Sequence, residues 1–233
     1  NFNEIFSYLK DDYEKIKAFQ LVMKKIMNNI LKESINCGLN NSFFLHLMPN
    51  LGTHEGEEIM KKATYSDYGT TDIQFIIKDA IKERGLLVLL NKYIESRTGK
   101  APFGDSFNVR SAPSTHNELT KLCKDKISSE IMPLLIGVGD TVTSVKDQEN
   151  NLWLRGGSDR GFLTLIQELG KAYKKENQII FVNSSNEEVS RPKVNGLDMT
   201  GISDPNDNLK FNLIINEGPE EYIDWFKLLA ERV

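Results

Sequence analysis

Apolar residues near the start of the chain recur at intervals of three and four: Ile5, Leu9, Tyr13, Ile16, Phe19, Val22, Met23, Ile26, Met27, Ile30 and Leu31. That period predicts a single long helix, stopped at Cys37-Gly38, with one face to be buried against another element. The run Ser42–Met48 then reads as a strand ended by Pro49-Asn50-Leu51-Gly52. A short helix is expected around 57–63. The Thr and aliphatic content of Tyr68–Ile77 favours a second strand, followed by a helix from about Lys78 to Ser96.

From Arg97 to Ser114 no period is sustained, and Gly99, Pro102, Gly104 and Pro113 mark a long ordered loop or lid. A helix is expected near 115–127. Two short apolar runs, 134–138 and 178–183, flank the helical pattern Phe162, Leu163, Leu165, Ile166, Leu169. This strand, helix, strand alternation is the pattern of an α/β fold with a parallel sheet. Residues 184–208 are polar and read as a mobile excursion, 209–216 as a last strand, and 220–232 as a closing helix.

Composition narrows the function classes. The 233 residues are 39% hydrophobic with a formal charge of −4, and charges of both signs are interspersed. No basic stripe is offered to nucleic acid, and no apolar stretch approaches the roughly 20 residues of a membrane helix. Cys37 and Cys123 stand alone, which suits a reducing cytoplasm and signals neither a metal knuckle nor a redox pair.

The chemistry concentrates at the end of the 134–138 strand. Gly139-Asp140-Thr141-Val142-Thr143-Ser144 follows it directly, and ligands of open α/β sheets gather at the carboxyl ends of their strands. A second acid, Asp159, stands in Gly156-Gly157-Ser158-Asp159-Arg160-Gly161 at the start of a helix. Two carboxylates at one strand end suit Mg²⁺, which prefers oxygen ligands and keeps waters and phosphate in its shell.

Gly139-Asp140 with the later Ser158-Asp159-Arg160-Gly161-Phe162-Leu163 resembles the fourth motif of haloacid-dehalogenase-like phosphatases, split here by a hairpin-like insertion at 144–157. Asn41-Ser42-Phe43-Phe44, Pro49-Asn50-Leu51-Gly52, Gly69-Thr70-Thr71-Asp72 and Gly137–Ser144 resemble, more narrowly, the glucosylglycerol-3-phosphate phosphatases of cyanobacterial salt tolerance. The resemblance implies part of a haloacid-dehalogenase-like Rossmannoid parallel sheet over 78–233, with an α+β cap over 1–77. It implies a Mg²⁺-dependent phosphomonoesterase in which an aspartate attacks phosphorus and a second aspartate protonates the leaving oxygen.

Residue by residue, Asp140 and Asp159 match the metal-binding acids, with Ser144 nearby in a supporting place. The third-motif lysine that meets the phosphate falls on Lys82, with Lys78 as the alternative. Of the polar cap positions His46, Asn50, Thr70, Thr71 and Asp72, one or two are expected to meet sugar hydroxyls, the others serving turns and caps. The nucleophile motif Asp-x-Asp occurs nowhere in the chain, so the chain reads as a carboxyl-terminal portion. Its missing half, or another protein chain, is expected to cover an open sheet edge. Trehalose- or sucrose-phosphate phosphatases have a similar fourth motif, and an inactive sugar-phosphate-binding relative is the alternative outside enzymes.

Overall fold

In the computed structural model, which describes residues 2–9, 12–39, 42–65, 67–184 and 199–232, the opening apolar period forms two helices rather than the one expected. α1 spans Phe2–Tyr8 and α2 spans Tyr13–Asn36. Asp12 accepts a hydrogen bond from the Lys15 N–H at 3.2 Å, capping α2 and forcing the break. Only part of the apolar face is covered. Ile16 packs with Ala63, while Met23 and Met27 lie on Leu47, Met60 and Ile73; Val22, Ile26 and Ile30 stay about half exposed. The sheet beneath α2 has two strands, wide enough for one stripe of the helix.

That sheet pairs β1 (Phe43–Met48) with β4 (Asp72–Ile77), antiparallel, in the register His46 to Gln74 and Phe44 to Ile76. Between them lies a hairpin, β2 (Asn50–His54) and β3 (Glu57–Met60). The short helix expected at 57–63 is therefore absent. Glu55 and Gly56 both take positive φ, 51° and 84°, the pair of conformations that two-residue hairpin turns prefer.

α3 (Lys82–Thr98) and α4 (His116–Lys126) follow, the latter opened by a capping box between Thr115 and Glu118. The segment joining them is tied down rather than a lid. The buried Arg84 guanidinium donates to the carbonyls of Val109 and Pro113 and to Ser114 Oγ, and Asn91 holds Gly104 and Phe103. Ala112, Phe103 and Phe107 join a core with Leu87, Ile94, Leu119 and Leu169.

The second half is α/β. β5 (Ile136–Gly139), β8 (Gln178–Val182) and β9 (Leu213–Ile215) form a parallel sheet in that order, and α5 (Arg160–Tyr173) makes the crossover between the first two. Side chains of β8 alternate between two covers, which is why its run is apolar throughout. Ile179 and Phe181 meet Leu163 and Ile166 of α5, whereas Ile180 and Val182 meet Tyr222 and Phe226 of α6 (Pro219–Ala230). Among the described residues β5 pairs on one side only, with Ile136 half exposed.

The expected insertion is a hairpin, β6 (Thr143–Asp147) and β7 (Leu152–Gly156), standing between β5 and α5. Most of the excursion expected to be mobile, 185–198, lies outside the described residues. Its following part is anchored: Ile202 and Leu209 enter the core beside α5, and Asp204 and Asp207 are buried in bidentate ion pairs with Arg155 and Arg160. No helix among the described residues is long and apolar enough to cross a membrane.

Candidate active site

The carboxyl end of β5 carries the site, and Asp159 organises it. One oxygen of this buried carboxylate accepts the N–H groups of Asp140 and Thr141, both at 2.9 Å, while the other pairs with Lys82 Nζ. Burial alone would raise the Asp159 pKa, but Lys82 and the two amides outweigh it and hold the group below the ordinary carboxylate range. Gly139 makes the approach possible, since a Cβ there would stand 2.8 Å from Cβ of Asp159. Asp159 is also the residue that starts α5, yet its side chain caps nothing in that helix, being turned wholly to this network.

Asp140 lies against it with a less committed carboxylate, which accepts the Thr141 hydroxyl at 3.1 Å. No cluster of three His, Cys, Asp or Glu exists among the described residues that could cage a metal ion. The donor set is thus one available carboxylate beside a second that is already charge-paired. That set is of the kind Mg²⁺ accepts, because the ion needs one or two carboxylates and takes its remaining ligands from water and phosphate.

Lys82 is the first residue of α3 and reaches from it into a cleft of about 850 Å³. Gly157, Ser158, Arg160 and Gly161 line the cleft beside it; Asp140 and Asp159 do not line it, and Asp159 is joined to it through Lys82. Lys78, the other lysine weighed, stands after β4 with its N–H on the Ser42 carbonyl.

The opposite wall is one face of the β1–β4 sheet, presenting the cross-strand pairs Phe44 with Ile76 and His46 with Gln74. Glu58 fixes the imidazole: its carboxylate takes His46 Nδ1 at 2.8 Å, the Leu47 N–H at 2.7 Å and Asn50 Nδ2 at 3.1 Å. A carboxylate only accepts, so Nδ1 carries a proton and Nε2 is the ring nitrogen that Glu58 leaves open.

The family model for glucosylglycerol-phosphate phosphatase matches residues 1–230. The chain belongs to this family. A glucosylglycerol-phosphate phosphatase of Synechocystis sp. is 40% identical over 244 residues, an alignment covering 100% of this chain and 58% of the relative. The chain therefore spans less than two thirds of the length of the relative it matches. No solved structure matches it.

In this member of the glucosylglycerol-phosphate phosphatase family the remaining sequence candidates have identifiable tasks. The Ser144 hydroxyl donates to Asp204, inside the Arg155 ion pair, and so supports the hairpin rather than Asp140. Asn50 reaches the cleft but uses its side chain on Leu47, Gly52, Glu58 and Gly157. Thr70 is buried away from it, its hydroxyl donating to the Pro49 carbonyl and accepting the Lys61 N–H. Thr71 and Asp72 are absent from the lining as well, and Asp72 accepts the Gln74 amide at 2.5 Å.

Among the polar residues of the cleft that escape a reading by motif are Glu58, Gln74 and His116. Glu58 stands in a segment that the sequence pattern suggested was helical. His116 opens α4 with Glu83 at 3.6 Å and Glu168 at 3.4 Å. Its place falls at the start of the helix expected near 115–127, but its two acidic neighbours come from α3 and α5.

Proposed function

We propose that this chain is the cap and part of the catalytic core of a phosphomonoesterase that removes phosphate from glucosylglycerol 3-phosphate. In this reading residues 78–233 are the greater part of a haloacid-dehalogenase-like Rossmannoid core, residues 1–77 are its cap, and the enzyme works in the cytoplasm. Family membership supports the reaction class. The observation that carries the site is the juxtaposition of Lys82, Asp159 and Asp140 at the end of a parallel strand, with Lys82 lining a cleft whose far wall presents Phe44, His46 and Gln74.

Each residue has a task that follows from its surroundings. Lys82 neutralises charge on the phosphoryl group as it transfers, the dominant demand of this chemistry. Asp159 aims Lys82 and fixes the loop that carries Asp140. Asp140, with Asp159 behind it, holds Mg²⁺, which when bound supplies further charge neutralisation at phosphate oxygens. His46 Nε2 and the Gln74 amide meet hydroxyls of the sugar or glycerol moiety, with Phe44 as an apolar platform for a ring face. The attacking aspartate comes from outside these 233 residues, on a strand that pairs with the free edge of β5 and is supplied by further sequence or by another chain.

The test is phosphate release from glucosylglycerol 3-phosphate by the polypeptide extended to the length of the Synechocystis relative. Mg²⁺-dependent turnover is expected there, background rates from the 233-residue chain alone, and abolition by Asp140→Asn. Turnover by the short chain that responds to substitutions within it would overturn the assignment of the nucleophile.

A further inference from the structure

We propose that His116 is a positioning residue which, as an imidazolium between Glu83 and Glu168, clamps the first turn of α3 onto α5 and so keeps Lys82 aimed at Asp159. The inference rests on the role given to Lys82 above and adds to it a dependence on pH.

The geometry carries the argument. Nε2 of His116 faces a carboxylate oxygen of Glu83 at 3.6 Å, and Nδ1 faces one of Glu168 at 3.4 Å. A neutral imidazole can donate from one nitrogen only, so it would turn a lone pair on one of the two carboxylates. The doubly protonated ring alone satisfies both. The Glu83 carboxylate, outweighing the partial burial of the ring and joined by Glu168, accordingly raises the His116 pKa above the ordinary histidine value. The titratable groups facing the ring are Glu83 from α3 and Glu168 from α5; on its own helix Glu118 is turned back onto Thr115.

Two further observations connect the ring to Lys82. α3 starts without a side-chain cap, because Ile81 stands at its N-cap; Arg84 ties that turn to Asp79 and to the segment before α4, but Glu83 takes no part in those bonds. Glu83 is instead pressed onto the first turn of α5, where a Cβ at Gly161 would overlap its carboxylate. There the acid lies near a helix N-terminus whose own Asp159 gives it no cap, a favourable place for negative charge. His116 holds Glu83 in that seat, and Lys82 is the adjacent residue. Loss of the ring proton leaves two acids sharing one donor and releases the turn.

The experiment has a readout on the 233-residue chain that needs no turnover. The His116 ring is titrated by NMR while amine labelling of Lys82 is followed by mass spectrometry across the same pH range. The expected ring midpoint lies above about 6.5, falls in Glu168→Gln, and coincides with a rise in Lys82 labelling; His116→Arg, which keeps charge and donors, abolishes that rise. Identical Lys82 labelling curves in wild type, His116→Gln and His116→Arg overturn the proposal. In the extended polypeptide His116→Gln is expected to lower kcat by about tenfold to a hundredfold with little change in KM, as misplacing a catalytic group does, and His116→Arg to restore it with a flatter alkaline limb. An unchanged kcat in His116→Gln also overturns it. Failure of the phosphatase reading is distinguished because it leaves no Mg²⁺-dependent turnover in wild type, whatever the labelling shows.

Discussion

Lys82 and Asp159 join two helix starts, the first residue of α3 to the residue that begins α5, through one ion pair at the base of the cleft. The lysine half faces solvent while the carboxylate is buried, so the pair has a wet end for a ligand and a dry end for the fold. Its energetic weight falls mainly on the dry end.

Replacing Asp159 tests that division. Asp159→Ala strips the Asp140 and Thr141 N–H groups of their acceptor and is expected to destabilise the chain by about 2–4 kcal/mol. Asp159→Asn keeps an oxygen for the amides and loses only attraction to a largely solvated lysine, costing about 1 kcal/mol. Urea unfolding of the two variants should separate them; equal losses would mean that the amide bonds carry no weight.

Gly139→Ala should act through Asp159. The new Cβ would stand 2.8 Å from Cβ of Asp159 and 2.9 Å from its Oδ2, and relieving that overlap should cost about 1–3 kcal/mol. In the extended polypeptide the same variant should lower kcat, since displacing Asp159 also displaces Lys82. Wild-type stability and turnover in Gly139→Ala would show that the carboxylate can shift freely.

The ion pair of Arg155 with Asp204 predicts a pH dependence whose sign can be fixed. The Arg155 guanidinium, against the opposing effect of burial and with help from Ser144, holds the Asp204 carboxyl well below the ordinary carboxylate range. A folded pKa below the unfolded one contributes stability that is present above the unfolded value, near 3.9, and is lost as pH falls through the folded one. Asp204→Asn should therefore lie furthest below wild type at neutral pH and converge on it in acid, measured by denaturant unfolding at a series of pH values. A gap independent of pH would assign the loss to packing.

Gln20 should prove more important than the exposed apolar stripe of its helix. It is fully buried, donating to the carbonyls of Tyr68 and Thr70 at 2.7 and 2.8 Å and accepting the Ala63 N–H at 3.1 Å. Gln20→Leu removes these partners at a cost of about 2–4 kcal/mol and should make the 61–70 segment sensitive to limited proteolysis, whereas Ile26→Ala, on the exposed stripe, should change little.

The legible parts of this molecule are those where one local rule decides. The apolar runs at 134–138 and 178–183 with α5 between them announced a parallel sheet, and Asp140 and Asp159 stood where its strand end and next helix start must lie. Lys82 was reached through the motif resemblance. The reading failed where two rules competed: the stripe from Ile5 to Leu31 concealed the Asp12 cap, and residues 57–63 concealed a hairpin set by two backbone angles at Glu55 and Gly56. The buried polar groups were the least visible. Gln20, Glu58 and His116 acquire meaning only from partners dozens of residues away or across a turn, and no period in the chain encodes them.

Asn50 has a mechanical consequence. Its side chain accepts the N–H groups of Gly52, at 3.0 Å, and of Gly157, at 3.1 Å, while its carbonyl takes the Thr143 hydroxyl at 2.5 Å. One residue thus rivets the first hairpin to the second, and the second is bolted in turn to the 204–207 loop by Arg155 and Arg160. The amino-terminal sheet is consequently not a jaw that swings on a single hinge near residue 77, because any opening must drag the 143–156 hairpin with it or shear these bonds. Ligand exchange is left to the open side of the cleft, and turnover should respond to solvent viscosity as a diffusive escape does rather than as a hinged gate does.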